Sequence, residues 1–149
     1  MPTYQQSSEI GRTFWDSFIA GDIDTFASLL ADDVVRLGPR DGNPDDVIRG
    51  KQPYVKFIRD IKATMPAHGG RTGVVGASPD GSWAFVHCIE VVATSPGSTK
   101  TVDVSNVLMM RINAAGLIDE IDIFRKEPSE DIGWTKATEL MDASQRIRR

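Results

Sequence analysis

From Arg71 to Lys126 the chain runs through four β-rich stretches, RTGVVGA, SWAFVHCIEVVAT, TKTVDVSNVLMMRI and LIDEIDIFRK, separated by SPDG, SPGST and NAAG. β-Branched and aromatic residues fit a pleated, half-buried surface, and turns built on Gly, Pro, Asn and Asp fold each run back on the one before. Strands joined this way pair antiparallel, so this part of the chain is committed to one sheet with a side that must be covered.

The covering material lies upstream. Ile10, Phe14, Phe18 and Ile19 recur at helical spacing, with Ser7 or Ser8 available as an N-cap and Gly21 as the stop. Asp22 can cap a short second helix, IDTFASLL, with Phe26, Leu29 and Leu30 as its inward stripe. DVVRLG then reads as a strand and PRDGNPDD as a loop. A third helix begins near Lys51, with Pro53 in its first turn, and runs through YVKFIRDIKATM until Pro66 ends it. After the strands, SEDIGWTKATELMDASQRI returns to helical spacing, giving a helical extension over 128–149. The order predicts a single α+β domain over 1–149: a cone-shaped, curved antiparallel sheet wrapped around N-terminal helices, enclosing a pocket for one small molecule.

Composition narrows the partners. At 149 residues the chain can bury a core without staples, and its net charge of −4 argues against a nucleic-acid surface. The single cysteine, Cys88, cannot form an internal disulfide, and no Cys/His spacing marks a metal site. No glycine-rich nucleotide motif occurs, so neither a cofactor nor a metal is expected. No apolar run approaches the roughly 18 residues that span a bilayer, and MPTYQQSSE does not read as a signal peptide, so a cytoplasmic location away from membranes is expected.

FWDSFIAGDIDTFASLLADDVV followed by a strand, then IRGKQPYVKFI, then strands ending RINAAGLIDEIDIF, resembles the nuclear transport factor 2-like superfamily in its SnoaL-like, ketosteroid-isomerase-like branch. The resemblance covers nearly the whole chain and implies the cone-shaped (cystatin-like) fold. It also implies small-molecule chemistry without a cofactor: cyclases, isomerases, dehydratases and epoxide hydrolases share this fold with domains of no known catalysis. The isomerases' tyrosine, aspartate base and protonated aspartate fall here on Phe14, Gly38 and Leu108, so their chemistry is not expected. Of the limonene-epoxide-hydrolase set, the two aspartates fall on Glu90 and Ile123 and the arginine on Cys88. Its tyrosine and asparagine fall on Arg36 and Gly38, which leaves one carboxylate in place.

Strand alternation sorts the remaining candidates. Facing Gly38 into the cone turns Val34 and Arg36 the same way. Val86, Cys88 and Glu90, then Val104, Asn106, Leu108 and Met110, then Ile121, Ile123 and Arg125 follow. Glu90, Arg36, Arg125 and Asn106 are thereby the candidate catalytic group, with Glu90 paired to an arginine because a buried charge persists only when paired. His87, Asp103 and Asp122 are the further candidates, although the same facing turns His87 and Asp103 outward. Trp15, Phe14, Val34, Gly38, Val86, Cys88, Leu108, Met110 and Ile123 are expected to bind substrate. A structural ion pair is the competing explanation for Glu90. The expected activity is general acid/base cyclisation or isomerisation of a hydrophobic, oxygenated polyketide- or terpenoid-like molecule. Epoxide hydrolysis is one alternative; the other is a non-catalytic small-molecule-binding or dimerisation module that uses the apolar outer face (Val35, Leu37, Phe85, Ile89, Val107, Met109), through which a homodimer is expected on either reading.

Overall fold

The computed structural model describes residues 1–40, 42–64, 69–94 and 98–126. The helix expected over 128–149 lies outside the described residues. In chain order the elements are helices α1 (Tyr4–Ala20) and α2 (Ile23–Ser28), strand β1 (Leu30–Leu37), a 3-10 turn (Pro44–Asp46), strand β2 (Val47–Arg49), helix α3 (Lys51–Thr64), and strands β3 (Gly69–Ala77), β4 (Trp83–Ala93), β5 (Thr101–Ile112) and β6 (Ile118–Lys126). The strands form one curved, unclosed six-stranded sheet in the order β2-β1-β6-β5-β4-β3.

The meander pairs antiparallel throughout, with Val86 opposite Leu108 and Leu108 opposite Ile123. Two features were not legible in the sequence. β1 joins the other end of the meander by running parallel to β6, where Arg36 lies opposite Ile121. The stretch read as a plain loop closes through the 3-10 turn into β2, which returns antiparallel to β1.

Two boundaries also move. Thr3, not Ser7 or Ser8, caps α1: its hydroxyl accepts from the Gln6 amide while the Gln6 side chain accepts from the Thr3 amide. Ser7 is buried instead, donating to the Gly81 carbonyl at 2.6 Å. Leu30 leaves the short helix to begin β1, so α2 stops at Ser28. Gly21 does end α1, with φ +71° in the left-handed region where a Cβ is strained.

The core lies between the sheet's inner face and the three helices. α1 crosses β3 and β4 so closely that a Cβ on Gly11 would stand 3.1 Å from Val86 Cγ2 and 3.2 Å from Ala84 Cβ. Phe14, Phe26 and Tyr54, one from each helix, meet ring to ring, at 4.7 Å and 5.4 Å between centroids. The expected facing of the strands holds: Val34, Val86, Cys88, Leu108, Met110 and Ile121 are buried, whereas Val107 and Phe124 are exposed. Among the described residues no helix is long and apolar enough to cross a membrane.

Ile118 is fully buried, pairs with Leu30 across the parallel joint, and its amide donates to the Leu29 carbonyl. Ile118→Ala should lower the free energy of unfolding by about 2–5 kcal/mol in a urea titration. A cost below that range would mean that the joint does not anchor β1.

Candidate functional site

Between the inner sheet face and the helices lies a cavity of about 520 Å³. Its apolar wall comes from the helices, with Phe14, Trp15 and Phe18 on α1, Phe26 on α2, and Tyr54, Phe57, Ile58 and Ile61 on α3. Leu108 and Ile123 close it from the sheet. Two charged clusters interrupt this wall.

The first follows from strand register. Cys88, Asn106 and Arg125 lie side by side on β4, β5 and β6, and Glu90 is the next inward residue along β4. Arg125 Nη2 and Asn106 Nδ2 both donate to Glu90 Oε2, each at 2.9 Å, while Arg125 Nε donates to Asn106 Oδ1 at 3.2 Å. The three side chains thus close a triangle in which Asn106, 2% exposed, both donates and accepts, fixing the orientation of its amide. Charge-assisted bonds of this kind balance an anion that an apolar wall alone would not tolerate.

Lys62, a residue without any signal in the sequence pattern, adds a second positive charge near Glu90. Its ammonium lies 4.3 Å from the Phe18 ring centroid. Burial lowers its pKa, and the negative charge of Glu90 works against that. Cys88, below the triangle, has its thiol pushed up to about 12, mainly by burial and next by the charge of Glu90. It is therefore held as a thiol and is no nucleophile at neutral pH.

The second cluster belongs to Arg36. The side chain is buried and faces the cavity, its guanidinium 5.1 Å from the Phe57 centroid. Its partner is not Glu90 but Asp46, which Nη1 contacts at 3.2 Å on Oδ1 and 3.3 Å on the backbone carbonyl. Asp46 Oδ2 accepts from the Arg40 amide at 2.9 Å and from Arg40 Nε at 3.4 Å, so one carboxylate ties the loop after β1 to the strand. A Cβ on Gly38 would occupy the space of that carboxylate, which is why glycine stands there. Burial alone would raise the Asp46 pKa, but the Arg40 amide and the Arg36 guanidinium outweigh it and hold the carboxyl below its usual range.

Glu90, Arg36, Arg125 and Asn106 thus face one cavity, as do Trp15, Phe14, Leu108 and Ile123. Val34, Val86, Cys88 and Met110 do not line it: inward-facing on the strands, they are sealed beneath the helices as core. Gly38 and Asp122 border a second groove behind β1, which shares Pro39, Arg40, Asp46, Ile123 and Arg125 with the cavity wall. His87 points outward, its Nε2 2.9 Å from Ser105 Oγ, and exposed Asp103 is bridged to Arg71 at 3.0 Å. They therefore form no acid–base couple with the cavity group. Tyr54, Phe57 and Ile61 were missed as lining residues, although their near-helical spacing on α3 carried the signal. Asp46 carried none beyond a turn-forming composition. Among the described residues no three His, Cys, Asp or Glu side chains come together as a metal-ligand set.

The family model of the SnoaL-like domain matches residues 12–121. Among solved structures the chain is similar to an LEH-like epoxide hydrolase from M. tuberculosis, with 17% identity over 84% of this chain and 86% of that one, and a TM-score of 0.69. The epoxide hydrolase/cyclase-like enzyme SalBIII, of pyran ring formation in polyether salinomycin, gives 16% identity over 82% of this chain and 92% of that one, and a TM-score of 0.70. A candidate ketosteroid isomerase from Kribbella flavida gives 20% identity over 85% of this chain and 82% of that one, and a TM-score of 0.66. At these identities the likeness is one of fold. No curated protein matches the chain significantly.

Because its folded pKa is depressed, Asp46 contributes stability that is present above its ordinary pKa of 3.8 and is lost as pH falls through the lower folded value. Asp46→Asn should therefore lower Tm at pH 7, with the gap to wild type shrinking as pH drops below 4. A gap that stays constant in thermal melts down to pH 2 would contradict this assignment.

Proposed function

The chain belongs to the SnoaL-like domain family, and from that premise we propose that it is a cofactor-independent enzyme that moves a proton on a hydrophobic, oxygenated small molecule, leading to isomerisation or ring closure. The observation that carries the reading is the Glu90 carboxylate, held by Asn106 and Arg125 on a cavity whose helix-side wall is apolar. An apolar substrate body would displace water from the walls of Phe14, Trp15 and Leu108, strengthening the charges that remain. Glu90 takes a proton from a carbon beside a carbonyl, and the electron pair moves to the carbonyl oxygen. Arg125 offsets the charge that Glu90 loses to the substrate. Returning the proton at another carbon completes an isomerisation. Attack of the enolate carbon on a second carbonyl closes a ring, and the new alkoxide takes the proton back from Glu90.

Epoxide opening is the second reading, favoured by a second carboxylate, Asp46, on the same cavity. It ranks lower because the donors on Asp46 hold it as an acceptor, whereas epoxide opening also needs an acid to protonate the ring oxygen. A binding module without chemistry is the remaining alternative. For the assembly, we propose a homodimer through the outer sheet face, where half-exposed Phe124 lies opposite Val107, and Val107 opposite His87.

Three measurements check these readings. Deuterium uptake from D2O into enolisable ketones and 1,3-diones, 2-acetylnaphthalene among them, is expected with the wild type and should fall by about 10²- to 10⁴-fold in Glu90→Gln, with ligand affinity changed only a few-fold. Undiminished exchange in that variant would sink the proton-transfer assignment, and a panel of epoxides run in parallel tests the second reading. Phe124→Asp should turn the dimer into a folded monomer in light scattering; an unchanged mass would place the interface elsewhere.

A further inference from the structure

The charged groups around the cavity are bonded to one another, Glu90 with Asn106 and Arg125, and Arg36 with Asp46. Tyr54 differs from them. Its side chain lines the cavity and the residue is only 3% exposed, yet its phenol has no hydrogen-bond partner among the described residues. The hydroxyl is not sealed in the core either, since Ser8 Oγ is the one side-chain polar atom, among the described residues, that is enclosed without a partner. The ring packs against Phe26 at 5.4 Å in a T-shaped contact, and the side chain lines the cavity. Burial keeps the phenol protonated, with Glu90 reinforcing this and Arg36 opposing it, so the group offers a proton and lies within the field of both charged clusters.

A donor that opens on the cavity without a partner from the fold is left to the cavity's contents, and a ligand acceptor placed there can take its hydrogen bond. We propose that Tyr54 is the residue that selects substrates, donating its phenolic hydrogen to a neutral carbonyl oxygen of the ligand, so that ketones are retained and their hydrocarbon isosteres are not. This inference deepens the reading of the cavity as a substrate site and rests on it. It narrows the substrate class to neutral carbonyl compounds whose oxygen lies near α3, with the acidic carbon turned toward Glu90 on the sheet.

The test uses two ligands of one shape, 2-acetylnaphthalene and 2-isopropenylnaphthalene, which differ only in C=O against C=CH2, with affinities measured by isothermal titration calorimetry. Wild type should bind the ketone between about two- and tenfold more tightly, the range expected of one neutral hydrogen bond. Tyr54→Phe should erase that preference while binding the hydrocarbon at least as well, and its Tm should not fall, because no bond within the fold is lost. Glu90→Gln should keep the preference. Equal affinities in wild type, a preference that survives Tyr54→Phe, a lowered Tm in that variant, or binding of neither ligand each overturns the inference. If the preference follows Tyr54 while Glu90→Gln still exchanges deuterium, the inference stands and the proton-transfer reading falls. If exchange depends on Glu90 while the preference ignores Tyr54, the reverse holds.

Discussion

The structure depends on the two-residue alternation of four hydrogen-bonded strands under one layer of helices. Once the helices bury one face of the meander, each strand's inward set is fixed, and a slip of one residue would carry a whole set to solvent. Val86, Leu108 and Met110 leave no freedom of that kind, because each is at least 96% enclosed. The polar residues are carried along. Glu90, Asn106 and Arg125 meet because they share a face with the core, two or four residues from groups that cannot be exposed.

Apolar packing holds the site in position, and the site's charges must be made tolerable in return. The two clusters manage this differently. Around Glu90 the compensation comes from neighbouring strands, so it is as rigid as the sheet. Around Arg36 it comes from a loop, and one carboxylate carries the connection between Arg36, Arg40 and the turn that leads into β2. The aromatic wall between them comes from three helices whose rings touch.

Much of this was legible beforehand, for a physical reason. Alternation is a local property, so the inward placement of Glu90, Asn106 and Arg125 could be read from their spacing to Val86, Leu108 and Ile121. The order of helices and strands gave the closure of the helices over the sheet, and the resemblance of nearly the whole chain to a known fold agreed with it. What escaped depends on long-range or irregular geometry. The parallel β1–β6 joint unites segments far apart in sequence, and the Arg36–Asp46 pair needs a turn in a Gly- and Pro-rich loop. Inward facing alone could not tell which residues would border empty space and which would be packed beneath it, so Val34, Val86 and Met110 read as pocket residues and proved to be core. Tyr54 lies on a helix face whose pattern announces burial without announcing a cavity, and Lys62 carries no signal in that pattern.

The cavity and the groove behind β1 share Arg40, Asp46, Ile123 and Arg125, because the ladder between β1 and β6 runs only to Leu37 opposite Asp122. Beyond that point the same side chains border both spaces and form the partition between them. The ions in it present one side to an oily interior and the other to bulk water, so part of their hydration survives, and a charged reaction centre is kept beside an apolar chamber without the full cost of burying it.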